Sequence, residues 1–217
     1  MISKRAAWIR LGVLAFPVFG VVSLVGALTP GIGITPATDP AGFAQVADLV
    51  GVADLAGIVA LVLLLFGFRA LYESLAGTPA RRWAFPGMIL SIAGSALYLP
   101  FLGIFAFAAP IAARAYLKGQ VQAISIISDS TSISNPTVFV VGGLAVLCYI
   151  LGAVLFSIAI WRSRKIPRWV AVAYTISAPL NIIPHYVLLL WLTGAILVLV
   201  AGIGIVVSVW KESGSTE

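Results

Sequence analysis

Few side chains in this 217-residue sequence can do chemistry. It has one histidine, His185, one cysteine, Cys148, and seven carboxylates. Asp54 is the conspicuous carboxylate, because it interrupts the apolar run from Leu49 to Phe68. An ionisable group inside an apolar helix is costly and marks a functional site by default. Asp48 lies six residues earlier. At about 100° per residue the two carboxylates point to different faces of a helix, which argues against a paired acid/base site on that helix alone. His185 lies in Asn181-Ile-Ile-Pro-His185-Tyr186. Asp54, Asn181, His185 and Tyr98 are therefore candidates for one polar cluster, able to hold a cation or relay a proton. The plainer alternative leaves His185 wet in a loop and Asp54 bonded to a nearby serine or backbone group. A single histidine without a second His or Cys ligand is poor material for a metal site, and one cysteine excludes an intramolecular disulfide. Cys148 reads as a small core hydrophobe. No metal or cofactor is expected.

Nucleophilic catalysis finds little support. Gly94-Ser95 with His185 would suit an intramembrane serine protease of rhomboid type, but the Gly-x-Ser-Gly pattern is absent and Ser95 is followed by Ala96. No early His/Asn pair supplies an oxyanion hole. A phosphate-binding loop, a dinucleotide fingerprint and a zinc-protease helix are all missing.

The elements that must position these residues follow from composition. Hydrophobic residues make up 61% of the chain and charged residues 9%, with a mean hydropathy of +1.13. Soluble domains run at about 45–50% apolar and about 25% charged. A chain of this length cannot bury so much apolar surface in water, which excludes a soluble enzyme, a nucleic-acid-binding module and a disordered protein. The expected partner is the lipid bilayer, not nucleic acid. The net charge of +6 fits the excess of Lys and Arg that cytoplasmic loops carry. Protein partners are unspecified and homo-oligomerisation stays open.

A hydrocarbon core about 30 Å thick needs roughly 20 apolar residues of helix. The hydropathy pattern predicts an all-α, polytopic bundle of six spans in a single domain over residues 1–217, at about 11–28, 49–68, 85–107, 137–160, 169–183 and 187–209. The second helix can begin as early as Pro40. The last two spans share the 42 residues from Trp169 to Trp210, which as one helix would be about 63 Å long. Pro179 and Pro184 mark the expected break. A cleaved signal peptide is the rival reading of the first span, with Val25-Gly26-Ala27 as the processing site; Arg10, Pro17 and the length of the run argue against it.

Basic residues orient the bundle. With the N-terminus inside, Lys4, Arg5, Arg10, Arg69, Arg81, Arg82, Arg162, Arg164, Lys165, Arg168 and Lys211 fall on the cytoplasmic side, against Arg114 and Lys118 outside. This 11-to-2 division predicts both termini in the cytoplasm. Trp8, Trp83, Trp161, Trp169 and Trp210 fall at the same ends, where indoles prefer the membrane–water interface; Trp191 does not.

Helix starts are marked by Asp39-Pro40, Thr78-Pro79 and Asn135-Pro136, each a capping residue before a proline suited to the first helical position. The outer segment 108–136 reads as a long loop with a solvated Ser/Thr run from Ser125 to Asn135, within which 111–127 can form a short interfacial helix. Gly87, Ser91, Gly94 and Ser95 share one face of the third span and read as a close-packing stripe. Leu65-Phe66 with Arg82-Trp83, and Leu155-Phe156 with Arg168-Trp169, form a faint parallel echo of the kind seen in transporter repeats.

The segment Leu155-Phe156, Trp161-Arg162-Ser163 and Pro167-Arg168-Trp169 resembles a loop found in small bacterial multi-pass membrane proteins of unknown function. That resemblance covers about 20 residues, is low in specificity and implies no catalytic residues. The nine Arg against four Lys, and the wealth of Ala, Gly and Val, fit a high-GC bacterium, so the inner (plasma) membrane is the expected location. The leading expectation is a non-enzymatic membrane protein with a regulatory, assembly or structural role. A small-solute or proton-coupled transporter is the first alternative and a membrane-embedded lipid-acting enzyme the second.

Overall fold

The computed structural model describes residues 4–31, 33–182 and 187–214, which form nine α-helices and one π-turn with no strand among them. The helices are α1 (Lys4–Val13), α2 (Ala15–Ala27), α3 (Pro40–Leu75), α4 (Arg81–Gly103), α5 (Ala109–Leu117), α6 (Gln122–Thr131), α7 (Pro136–Ser163), α8 (Arg168–Ile182) and α9 (Leu188–Gly214), with the π-turn Ile104–Ala108 joining α4 to α5. Five stretches are long and apolar enough to cross a membrane: Arg5–Ala27, Pro40–Leu75, Arg81–Leu117, Pro136–Ser163 and Leu188–Glu212. The α8 helix, at 15 residues, is about 22 Å long and falls short of a core about 30 Å thick.

Two of the three expected caps hold. Asp39 accepts a hydrogen bond from the Gly42 amide at 2.9 Å, and Asn135 accepts one from the Thr137 amide at 3.0 Å. Each satisfies one of the orphan donors of a first turn. Thr78 does not cap α4. Its hydroxyl instead donates to the Leu75 carbonyl at 2.8 Å, closing a turn beyond α3, and α4 starts later, at Arg81.

The expected break in the 169–210 run is present: α8 ends at Ile182 and α9 begins at Leu188. Pro179 lies inside α8, while Pro184 lies outside the described residues. The first span bends at Leu14, between α1 and α2, just before Pro17, which removes a helical donor there.

Glycines set the helix spacing. A Cβ on Gly94 would lie 2.5 Å from the Tyr149 nitrogen, and one on Gly152 would lie 2.6 Å from the Ser91 nitrogen, so α4 and α7 pack nearly backbone to backbone. Gly20 meets Leu199, and Gly202 meets Pro17, in the same manner between α2 and α9. The small-residue stripe on α4 is thus a packing face, as its spacing predicts; Ser91 and Ser95 are buried there and their hydroxyls have no hydrogen-bond partner among the described residues. Where core and lipid are equally apolar, such close approach supplies the van der Waals contact that holds helices together. The main core gathers Phe16, Phe68, Leu71, Phe156, Ile160 and Tyr174 from α2, α3, α7 and α8. Phe156 is central to it, whereas Phe66, its counterpart in the sequence echo, is exposed. The two positions do not play equivalent roles.

The segment 108–136 is not a long loop. The third helical stretch runs on through the π-turn to Leu117, and α6 follows after a turn at Gly119, whose φ of 93° suits glycine. Ile124 and Ile127 bury against Phe43, Ala44, Ala47, Ala109 and Ala113 in a second, smaller core. The Ser/Thr run that suggests a solvated linker is helical as far as Thr131, with Ser125, Ser130 and Thr131 satisfying their hydroxyls on carbonyls three or four residues back. With α3 at 36 residues, or about 54 Å, this small core lies where α3 and α5 overshoot a bilayer-sized bundle.

Candidate functional site

Asp54 sits on α3 four turns from its N-terminal cap and is part-buried. Gly51, one turn before it on the same side of the helix, is buried against the π-turn: a Cβ there would lie 2.7 Å from the Pro110 ring, 3.2 Å from the Ala106 carbonyl oxygen and 3.5 Å from that of Phe105. Pro110 has no amide hydrogen to offer the helical ladder. A π-turn in this setting re-registers the chain and is a frequent companion of functional sites. Neither the π-turn nor the role of Gly51 was legible from hydropathy; Pro100 and Pro110, bracketing Ile104–Ala108, were the available signal.

Of the candidate cluster, Tyr98 on α4 lies within electrostatic range of the Asp54 carboxylate. Its ring packs against Phe101, with centroids 6.1 Å apart. Asn181 makes a different contact. Its Nδ2 donates to the Ser177 carbonyl at 2.8 Å on its own helix, and its Oδ1 is buried without a partner among the described residues. His185 lies outside the described residues. Among the described residues Asp54 makes neither a hydrogen bond nor an ion pair. The structure thus places Asp54 one turn beyond the Gly51 contact with the π-turn and leaves Asn181 bonded within α8.

A second polar region gathers at the opposite, basic end. Arg5 donates to Glu73 at 2.6 Å and Arg69 to the same carboxylate at 3.2 Å. Arg81 donates to the Tyr72 hydroxyl at 3.0 Å. Lys165, in the turn between α7 and α8, pairs with Glu212 at 2.6 Å and donates to the Ser74 carbonyl at 3.4 Å. The Trp210 indole donates to the Arg10 carbonyl at 3.3 Å. Arg162 lies 5.2 Å from the centre of the Trp83 ring, and Arg168 lies 5.1 Å from that of Trp161, both within cation–π range. These contacts bring the start of α1 to the end of α3, and the α7–α8 turn to the ends of α3 and α9. Arg69–Glu73 is a local i, i+4 pair; Arg5–Glu73 and Lys165–Glu212 join residues far apart in the chain and have no local signal. At the other end Arg114 on α5 pairs with Asp48 on α3 at 3.0 Å, both exposed.

Chemically, the described residues hold no group of three His, Cys, Asp or Glu side chains placed to bind a metal ion. Asp54 with Tyr98 can accept, hold or pass a proton, or pair with a donor brought from elsewhere. No protein-family model, no curated protein and no solved structure matches the chain.

Proposed function

We propose that this chain is a six-span integral membrane protein of the bacterial plasma membrane, with both ends of the polypeptide in the cytoplasm and a non-enzymatic role as an assembly or regulatory subunit. The contacts at the basic end support six traverses, because a chain whose α1 start and α9 end lie at one end of a bundle makes an even number of passes. The short α8 then serves as the fifth, its Trp169 at the basic interface. The 11-to-2 division of Lys and Arg supports that end lying inside. The likeness of segment 155–169 to small multi-pass bacterial proteins fits this reading.

The observation that carries the functional part is Asp54. Its carboxylate has no hydrogen-bonding or ionic partner among the described residues, and its neighbours Val52, Leu55 and Val59 are exposed on the outside of α3. Ionisable residues at membrane depth pair with one another or face a bundle interior. A carboxylate at the edge of an exposed apolar strip is placed to meet a donor on another membrane helix. Native-gel electrophoresis of membranes solubilised in mild detergent tests this. The chain should migrate in an assembly larger than itself, and Asp54→Asn should release it as a folded monomer. Unchanged migration of the variant would refute the role.

One observation favours a second reading, a small-solute or proton-coupled transporter: Asp54 lies one turn from the Gly51 contact with a π-turn, and interrupted helices line the binding sites of many transporters. Under that reading Asp54→Asn abolishes solute-coupled proton movement in proteoliposomes while the native-gel mobility stays the same.

A further inference from the structure

A groove of about 720 Å³ runs between α8 and α9 at the basic end. Its floor follows one stripe of α9: Val200, Ile203, Gly204, Val207, Ser208 and Lys211. These recur at helical spacing and so form a single face. From Val200 to Lys211 the stripe rises about 16 Å, close to the depth of one leaflet of a core about 30 Å thick. Its chemistry changes along that rise. Val200, Ile203 and Val207 are apolar and exposed, whereas the top carries Ser208, Lys211 and Lys165. Trp169 forms the side wall. Gly204 lets it do so, since a Cβ there would lie 2.8 Å from the indole ring.

The charges at the mouth are unequal in their engagement. Lys165 is held by Glu212 and by the Ser74 carbonyl. Lys211 is exposed and makes no ion pair with a described residue. Among the lining residues two lysines stand against one glutamate, one net positive charge at the mouth. An apolar slot one leaflet deep, capped by an ammonium that makes no ion pair with a described residue and walled by an interfacial tryptophan, is complementary to a lipid with an acyl chain below and an anionic phosphate above.

We propose that this groove is a binding site for one anionic phospholipid of the leaflet facing the basic end, its phosphate on Lys211 and an acyl chain along Val200, Ile203 and Val207. The proposal rests on the reading of the basic end as a lipid–water interface, but on neither the span count nor the side of the membrane.

The test is native mass spectrometry of the full chain released from nanodiscs containing equal amounts of phosphatidylglycerol and phosphatidylcholine with identical acyl chains. The native protein should retain one phosphatidylglycerol several-fold more often than phosphatidylcholine. Lys211→Gln should bring the ratio close to one, and Val207→Trp, which fills the slot from its exposed side, should remove the retained lipid of either kind. Arg82→Gln, on the basic rim but outside the groove, should leave the ratio as it is. In matched nanodiscs, phosphatidylglycerol brominated on its acyl chain should quench a share of the indole fluorescence that Trp169→Phe abolishes. Equal retention of the two lipids by the native protein overturns this proposal alone, as does an equal loss from Arg82→Gln and Lys211→Gln. Failure of the native chain to enter nanodiscs overturns the membrane reading and this proposal together.

Discussion

Gly94 on α4 faces the backbone of Tyr149 on α7 so closely that a Cβ at Gly94 would stand 2.5 Å from the Tyr149 nitrogen and 2.8 Å from the Ala145 carbonyl oxygen. Backbone atoms of a long helix cannot step aside as a flexible side chain can, so the whole helix would have to move. At this point the α4–α7 approach therefore requires that Gly94 carry no methyl group.

Gly94→Val should accordingly destabilise the fold by about 1–3 kcal/mol, the usual cost of overpacking. Thermal unfolding in detergent measures it. The control is Gly103→Ala on the same helix, where a Cβ meets nothing within 4 Å. That change should be neutral or stabilising by up to about 1 kcal/mol, since alanine is the better helix former. Equal effects at the two positions would contradict the packing assignment.

Accessibility labelling checks the orientation. In a Cys148→Ser background, a cysteine at Ser130 should react with an impermeant reagent applied to intact cells, and one at Ser163 should react only after the membrane is opened. Labelling of Ser163→Cys from outside would invert the topology derived from the basic residues.

Asp54 gives a stability prediction as well as a functional one. A carboxylate in an apolar setting without a partner costs the isolated chain free energy, on the order of 1–3 kcal/mol for an unsatisfied polar group. Asp54→Leu should thus leave the isolated chain as stable as the native one, or more so, in a denaturant or thermal titration. A clear loss of stability would show that the carboxylate is satisfied inside the fold.

The Asp48–Arg114 pair should behave differently from its position as the tie between α3 and α5. Both partners are exposed, and exposed pairs contribute about 0–1 kcal/mol and weaken with salt. A double-mutant cycle with Asp48→Asn and Arg114→Gln should give a coupling under about 1 kcal/mol, vanishing at high ionic strength. The small core of Phe43, Ile124 and Ile127 beneath it should matter more. Ile124→Ala removes a fully buried side chain and should cost about 2–5 kcal/mol if the site cannot collapse, read as faster proteolysis of 118–136.

Much of the architecture could be read without coordinates. Apolar run lengths, the break between α8 and α9, the caps at Asp39 and Asn135 and the small-residue stripe on α4 are local properties, fixed by transfer free energy and helix-end hydrogen bonding within a few residues of each site. The partners of each face were not legible. In a chain where bundle interior and surroundings are equally apolar, periodicity does not say which side of a helix meets which neighbour; shape decides, and shape is assembled from several helices at once. That is why Gly94 against Tyr149, Arg5 with Glu73 and Gly51 against the π-turn belong to the tertiary structure. The same reason explains α6, whose serines read as a linker until Ile124 and Ile127 find Phe43 to cover. Asn181 shows it from the other direction, because its side chain bonds back to Ser177 on its own helix, a choice that no spacing in the sequence could reveal.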